Sequence, residues 1–208
     1  MRLNRFPSRL TSIKLAGTVA IALLAMTAFV SSAQAGCSYS GAKQVFSPWG
    51  DQRNYVLAPD GGFEAGGAGW SLTRDAKVVD GNESFYLNGA GDSKSLSLPA
   101  GSSAVSPPVC MSIDTPSFRL MARNSGDPSS RLRVEAVYNL LGLVRTKVVS
   151  NLSAGSSWAP TQSVSTVLGL STIVGTLIPS AIEIRIAPVD AKGNWQIDQL
   201  YIDPFCRH

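Results

Sequence analysis

The stretch Leu132-Arg133-Val134-Glu135-Ala136-Val137-Tyr138 alternates between apolar and polar side chains along its length. Because successive side chains of a β-strand point to opposite faces, this spacing predicts a strand with one buried and one exposed face. The same period of two is present in residues 118–123 and 182–186. The predicted inward side chains are Leu132, Val134, Ala136, Tyr138, Phe118, Leu120, Ala122, Ile182, Ile184 and Ile186. These three segments therefore predict half-buried sheets.

Shorter runs of β-branched and aromatic residues predict further strands. They lie near residues 54–57, 76–80, 84–88, 94–98, 108–113, 143–150, 163–168 and 195–202. Clusters of Gly, Pro, Ser, Asn and Asp separate them, a pattern typical of β-sandwiches and barrels. Residues 164–178 leave two alternatives open, a strand–loop–strand or a short helix, and their glycines argue against one long helix.

The first 35 residues have the three parts of a secretory signal peptide: basic residues within 1–14, an apolar run at 15–30, and small residues at Ala33 and Ala35. This pattern predicts cleavage after Ala35. The apolar run is shorter than the roughly 20 residues that span a bilayer, which disfavours an uncleaved membrane anchor. Gln34 stands where a lipoprotein signal carries an apolar residue, which disfavours lipid attachment at Cys37.

The remaining chain, residues 36–208, has no net charge and a length that suits one domain. Four of the 18 Lys and Arg residues and none of the 14 acids lie in residues 1–35, so residues 36–208 carry 14 of each. This balance argues against a nucleic-acid partner. The one histidine is the terminal His208, which argues against histidine-based catalysis. We expect residues 36–208 to form a single domain with an irregular segment at about 36–60.

Three cysteines remain after the predicted cleavage site. A disulfide is favoured outside the cytoplasm, and three cysteines allow one bridge and one leftover thiol. We favour the pair Cys37 and Cys110, because Cys206 lies close to the end of the chain. The alternative pair, Cys37 and Cys206, would join the two termini. The spacing of the cysteines matches no zinc motif.

Two short motifs bracket the predicted strands. Phe63-Glu64 and Trp70 lie near the start of the domain, and Ile197-Asp198 lies near its end. This order resembles the carbohydrate-binding jelly rolls of the cellulose- and xylan-binding type, which belong to the galactose-binding-like β-sandwich group. The sequence departs from their pattern at Gly62, where Asn is usual, and at Gln199, where a second Asp is usual. The resemblance implies an all-β jelly-roll sandwich.

The chain also resembles a group of secreted actinobacterial proteins of unknown function, which brings no activity with it. This second resemblance rests on residues 46–49, 61–64, 81–83, 98–101 and 195–204.

The carbohydrate-binding resemblance implies a structural calcium between the first and last strands, with Glu64 and Asp198 as ligands. Calcium takes six to eight oxygens, from carboxylates and backbone carbonyls. The alternative is that the two carboxylates only cap turns or accept backbone N–H groups.

The candidate ligand-binding residues are aromatic side chains beside turns and charged side chains on the predicted outward faces. Trp49 and Trp158 lie beside Pro in turn-rich sequence, whereas Trp70 and Trp195 are expected to pack in the interior. Arg119, Arg123, Arg133, Glu135, Glu183 and Arg185 would form a charged ladder if their strands share a sheet. Guanidinium groups would then bind a polyhydroxylated or anionic ligand, and the alternative is a solvated, salt-bridged face.

We therefore expect a secreted, non-catalytic carbohydrate-binding protein whose partner is an extracellular glycan. One alternative is a structural or interaction protein of the cell envelope without a small ligand. A second is a glycan hydrolase, which would need two facing carboxyl groups. The sequence contains no nucleophile, zinc or phosphate-binding motif, which favours a protein that is not an enzyme. No segment after Ala35 is long and apolar enough to cross a membrane.

Overall fold

A computed structural model of the chain describes residues 40–111, 117–140, 142–165 and 180–203. The chain divides into two units, residues 1–35 and 36–208, and every described residue lies in the second. The described residues form thirteen strands and one 3-10 turn at Ser47–Trp49. The strands are β1 Val56–Leu57, β2 Ser71–Thr73, β3 Lys77–Asp80, β4 Lys94–Pro99, β5 Ser103–Val105, β6 Val109–Met111, β7 Ser117–Asn124, β8 Leu132–Leu140, β9 Leu143–Leu152, β10 Ala159–Pro160, β11 Val164–Ser165, β12 Ser180–Pro188 and β13 Asn194–Asp203.

The strands form two antiparallel sheets. In the first sheet the order is β10-β7-β13-β4-β3, with β1 paired to β13 and β11 paired to β7. In the second sheet the order is β2-β5-β12-β8-β9, with β6 paired to β12. Strands that are distant in the chain therefore lie side by side, as in a jelly roll. The prediction of an all-β jelly-roll sandwich is confirmed.

The main core contains the inward side chains of both sheets. Those predicted from the period of two are buried in it, including Phe118, Leu120, Ile184 and Ile186. Trp70 and Trp195 are also buried there, as predicted. Alternation along each strand thus separates a dry inner face from an outer face.

A second cluster of buried side chains contains Phe46, Tyr55, Met121, Trp158 and Tyr201. Met121 and Tyr201 alternate with inward residues of β7 and β13, so they face outward from the first sheet. The segment that includes the 3-10 turn and a bridge between Lys43 and Tyr55 covers this part of the face. The ring of Phe46 lies 5.0 Å from that of Tyr55 and 5.7 Å from that of Tyr201, both edge to face. The N-terminal segment therefore buries part of the outer face of the first sheet.

Two predicted features of the strands differ from the structure. Residues 84–88 form a turn instead of a strand, because the buried Glu83 carboxylate accepts the N–H groups of Phe85 and Leu87 and bends the chain. The predicted ladder of charged residues is divided, because β7 belongs to the first sheet whereas β8 and β12 belong to the second. Most of the ambiguous segment 164–178 lies outside the described residues.

Candidate functional site

A row of polar side chains crosses the uncovered part of the first sheet's outer face. In the strand register, Gln196 of β13 pairs with both Arg123 of β7 and Ser97 of β4, and Ser97 pairs with Lys77 of β3. Arg123, Gln196 and Ser97 are half-buried and Lys77 is exposed. Since neighbouring strands lie about 4.8 Å apart, the row is roughly 14 Å long. We call these four residues the polar row.

Arg123 is held in place at one end of the polar row. Its Nε donates a hydrogen bond of 2.6 Å to Oε1 of Gln196, and its guanidinium carbon lies 5.0 Å from the ring centroid of Trp158. A cation over an indole face is an attractive arrangement. Neither Nη1 nor Nη2 of Arg123 has a hydrogen-bond partner among the described residues. The guanidinium of Arg123 is therefore held in one orientation, and its Nη1 and Nη2 groups can donate hydrogen bonds to a ligand.

Trp158 does not form the open aromatic platform expected from its neighbouring Pro. Its side chain is only 9% exposed, because one face is under Arg123 and the ring packs in the second cluster. Trp49 is half-exposed and packs edge to face on Phe85, with 4.9 Å between ring centroids. Of the two candidate tryptophans, Trp49 is the more accessible.

Arg119 lies on the same face but under the N-terminal segment. Its side chain is 11% exposed. Nη1 is 2.8 Å from Oδ2 of Asp51, Nε donates to the carbonyl of Thr161 at 2.8 Å, and the guanidinium carbon lies 4.7 Å from the ring centroid of Phe46. These contacts hold the segment to the sheet and leave Arg119 little surface for a ligand.

The remaining charged candidates lie on the outer face of the second sheet. Arg185 of β12 is exposed and forms an ion pair of 3.0 Å with Glu135 of β8, whose side chain is nearly buried. Arg133 is exposed on the same strand face. Cross-strand ion pairs of this kind contribute little free energy of unfolding. These charged residues lie on the opposite side of the sandwich from the polar row.

Glu64 and Asp198 bind different partners. Glu64 is exposed, and its Oε1 accepts the N–H groups of Ser93 at 2.8 Å and Lys94 at 2.7 Å. Asp198 is buried, and its two oxygens accept the N–H groups of Glu83 at 3.0 Å and Gln199 at 2.7 Å. Burial raises the pKa of Asp198 to about 8 against the opposing effect of these bonds.

Within the described residues, no group of three or more His, Cys, Asp or Glu side chains could hold a metal ion. The two carboxylates named from the resemblance therefore act as backbone acceptors, and they do not fit a shared calcium. The calcium remains a prediction from the resemblance.

The polar row was only partly visible in the sequence. Arg123 was predicted as an outward residue, whereas Gln196, Ser97 and Lys77 were not singled out. Gln196 lies between the buried Trp195 and Ile197, so alternation places it on the outer face. What alternation does not give is the pairing of β13 with both β7 and β4, which brings the four residues into one row.

No protein-family model matches the chain, and no curated protein matches it. Among solved structures, the CBM22-1 xylan-binding domain from Paenibacillus barcinonensis Xyn10C has 14% identity and a TM-score of 0.49, covering 74% of this chain and 99% of that domain. A family 16 carbohydrate-binding module has 15% identity and a TM-score of 0.46, covering 70% and 97%.

Another similar structure comes from a longer chain, the CBM22-1 and GH10 modules of a Clostridium thermocellum endo-1,4-beta-D-xylanase complexed with xylohexaose. It has 10% identity and a TM-score of 0.46, and the alignment covers 72% of this chain. This chain spans only 28% of that structure, and 44% of the tandem CBM22-1-CBM22-2 structure from Paenibacillus barcinonensis. The structural neighbours are thus carbohydrate-binding modules of the galactose-binding-like jelly-roll type. At these identities the likeness concerns the fold.

No helix of the described chain has the length and apolar character needed to span a membrane.

Proposed function

We propose that this chain is a secreted, non-catalytic carbohydrate-binding protein that binds an extracellular glycan along the polar row. The observation that carries this proposal is the oriented Arg123 guanidinium at the end of four aligned polar side chains. Sugar hydroxyls both donate and accept hydrogen bonds. Guanidinium, amide, hydroxyl and ammonium groups together supply both kinds of partner.

The arrangement of Arg123 supports binding in a second way. Contacts to Trp158 and Gln196 already restrict its rotamers, so little side-chain entropy remains to be lost when a ligand arrives. The planar guanidinium fork can then form paired hydrogen bonds with neighbouring hydroxyls. A row across four strands suits an extended chain better than a compact molecule.

The composition of the polar row favours binding over hydrolysis. Glycoside hydrolysis uses two carboxyl groups flanking the bond, roughly 5–9.5 Å apart. The row contains Arg, Gln, Ser and Lys and no carboxyl group. The nearby acids Glu83 and Asp198 are both covered by protein. A substrate lying on the row would therefore meet hydrogen-bonding groups without an acid–base pair.

The proposed location follows from the signal-like first 35 residues. Cleavage after Ala35 would release the charge-balanced chain 36–208 from the cell. Outside the cell, cell-wall glycans and other polysaccharides are accessible to it. The equal numbers of acids and bases in residues 36–208 are consistent with a neutral polymer as partner.

A cell-envelope interaction protein is the second candidate. Coverage of Arg119 by the N-terminal segment favours it, because a covered arginine supports the fold instead of a ligand. The exposed Arg133, and Arg185 paired with Glu135, would provide a charged docking surface on the second sheet. Against it, Arg123 has unused donors.

The test compares the two outer faces. The secreted protein is applied to a glycan array and to insoluble polysaccharides in a pull-down, with Arg123→Ala and Arg133→Ala as matched variants. We expect retention of the wild-type protein and of Arg133→Ala, and loss of retention for Arg123→Ala. Retention lost only in Arg133→Ala would move the site to the second sheet. No retention of the wild-type protein on any glycan would contradict the proposal.

A further inference from the structure

The outer face of the second sheet carries adjoining apolar side chains. Val144 and Val148 of β9 are 69% and 48% exposed. The register pairs Val148 with Glu135 of β8, and it pairs Thr146, which stands between the two valines, with Val137 of β8. Paired residues of an antiparallel sheet share a face, so the three valines lie together beside Glu135. We call the outward positions of β8, β9 and β12 the valine face. Adjoining exposed apolar side chains indicate a surface that contacts another molecule.

The composition of the valine face fits a protein partner. Among the described residues, its outward positions contain no aromatic side chain and no lysine. Without aromatic rings, the face offers no stacking surface for a sugar ring. Its charged members are two arginines and two glutamates, so their charges cancel. Protein interfaces are poor in lysine and rich in arginine, and β-branched side chains pack well on a sheet surface.

Two of these four charges have no ion-pair partner within the part of the chain that the structure describes. They are Arg133 of β8, which is exposed, and Glu183 of β12, which is half-buried, whereas Arg185 and Glu135 pair at 3.0 Å. Glu183 precedes Arg185 by two residues, and Arg133 precedes Glu135 by two residues. Because the strands are antiparallel, the two unpaired charges lie on opposite sides of the Arg185–Glu135 pair, roughly 14 Å apart.

This arrangement of charges is complementary to itself. We consider two valine faces stacked on each other, with a two-fold axis between them that crosses the line from Glu183 to Arg133 at its midpoint and at a right angle. The axis exchanges the two positions, so Glu183 of each copy faces Arg133 of the other, as an isologous contact requires. The midpoint of the line is the Arg185–Glu135 pair. The two copies therefore bring two arginines and two carboxylates together at the axis.

The same axis sets the angle between the two stacked sheets. The line from Glu183 to Arg133 is inclined by about 20° to the strands, so the axis turns one sheet by about 40° relative to the other. The carbonyl of Ile184 accepts the N–H of Ser106, so the flanking Glu183 and Arg185 direct their own backbone groups to β8. For L-residues this places β8 to the right of an upward-running β12, as seen from outside. The turn then has the negative sign of the roughly −30° at which aligned sheets pack.

The face is also large enough for a specific contact. β5 and β6 pair with one side of β12, and β8 and β9 follow on its other side. Four columns of strand, each about 4.8 Å wide and about nine residues long, measure roughly 19 by 27 Å. Two such faces in contact bury about 1,000 Å² in total, which reaches the range of specific interfaces.

We propose that the valine face is the contact surface of a symmetric dimer, and that its partner is a second copy of this chain. Glu183 and Arg133 form reciprocal ion pairs between the copies, and the valines pack around them. The dimer does not depend on the proposed glycan binding, because the polar row lies on the first sheet and stays exposed in each copy.

The test measures the oligomeric state of the secreted protein by sedimentation equilibrium over a range of protein concentrations. The variants are Glu183→Arg and Arg133→Glu, and the matched control is Lys43→Glu, which reverses an exposed charge outside the valine face. We expect the wild-type protein and the control to dimerise equally. Each of the two variants should dimerise at least about tenfold more weakly, because like charges then face each other across the contact.

The decisive measurement is an equimolar mixture of Glu183→Arg and Arg133→Glu. The mixture should dimerise again, since each variant then faces the opposite charge on the other, and the double variant Glu183→Arg/Arg133→Glu should do so as well. A wild-type protein that stays monomeric at every concentration overturns the proposal. So does a mixture that stays monomeric while the wild-type protein dimerises, or unchanged dimerisation of the two single variants. A circular dichroism melt of each variant checks that the fold is retained.

Discussion

Nη1 of Arg119 and Oδ2 of Asp51 lie 2.8 Å apart, and this ion pair joins the N-terminal segment to the centre of the first sheet. Asp51 also accepts hydrogen bonds from Arg53 and from the hydroxyl of Tyr55. Replacing Asp51 with Asn keeps the shape but removes the charge that all three donors face. We expect Asp51→Asn to lower the free energy of unfolding at neutral pH by about 2 kcal/mol, measured by urea denaturation.

The matched control for this prediction is Asp80→Asn. Asp80 forms an ion pair with Lys94 on an exposed strand, and exposed pairs contribute little. We expect its urea midpoint to stay close to that of the wild-type protein. Equal shifts in the two variants would show that Asp51 is an ordinary surface charge.

Acid pH should weaken the same attachment. The hydrogen bonds from Arg53, Tyr55 and Arg119 hold the pKa of Asp51 well below its usual range, although burial opposes them. A carboxyl whose folded pKa is depressed contributes stability above its unfolded pKa, about 3.9, and loses it as the pH falls toward the folded value. We expect urea midpoints of the wild-type protein to drop below about pH 4, and those of Asp51→Asn to drop less. Parallel curves would assign acid unfolding to other groups.

Rising pH should destabilise the folded protein through Asp198. Burial raises its pKa to about 8, and the nearby carboxylates Glu83 and Asp92 add to this. Its folded pKa lies above its unfolded pKa, so between about pH 4 and about pH 8 the folded protein keeps a proton that the unfolded chain releases. Stability therefore falls as the pH rises through this window. We expect urea midpoints to decline from about pH 5 to about pH 8, and Asp198→Asn to flatten this decline. An unchanged slope in Asp198→Asn would contradict the assignment.

Much of the fold was predictable because alternation is a local signal. The inward side chains of β7, β8 and β12 followed from spacing alone, and most strand positions followed from the turn clusters between them. The turn at Glu83 was missed because residues 84–88 contain aromatic residues typical of strands. The buried Glu83 carboxylate bends them by accepting their N–H groups, and the backbone N–H of Glu83 donates to Asp198 on the distant last strand. Non-local contacts of this kind leave no mark in the local sequence.

The candidate site was less predictable for a related reason. The sequence indicated which faces of β7, β8 and β12 were polar, but the sheet to which each strand belongs depends on chain crossings. Arg119 and Arg123 therefore fell on one sheet and Arg133 and Arg185 on the other. The segment around Phe46 covers Arg119 through contacts between residues that are distant in the chain, so the sequence near Arg119 does not indicate this coverage.

Removal of divalent metal should test the calcium expected from the resemblance. A ligand that binds the folded protein alone raises its melting temperature, so a chelator would lower it. Since the oxygens of Glu64 and Asp198 already accept backbone N–H groups, each from different residues, we expect the same melting temperature in EDTA and in excess calcium. A higher melting temperature in calcium would show a metal site that uses other oxygens. Magnesium in place of calcium is the control for a general effect of divalent ions.

The disulfide prediction is tested by mass mapping of the secreted protein without reduction. Cys110 lies on β6, whereas Cys37 and Cys206 lie outside the described residues. We expect a peptide linking Cys37 to Cys110. A peptide linking Cys37 to Cys206 would support the alternative in which the bridge joins the termini.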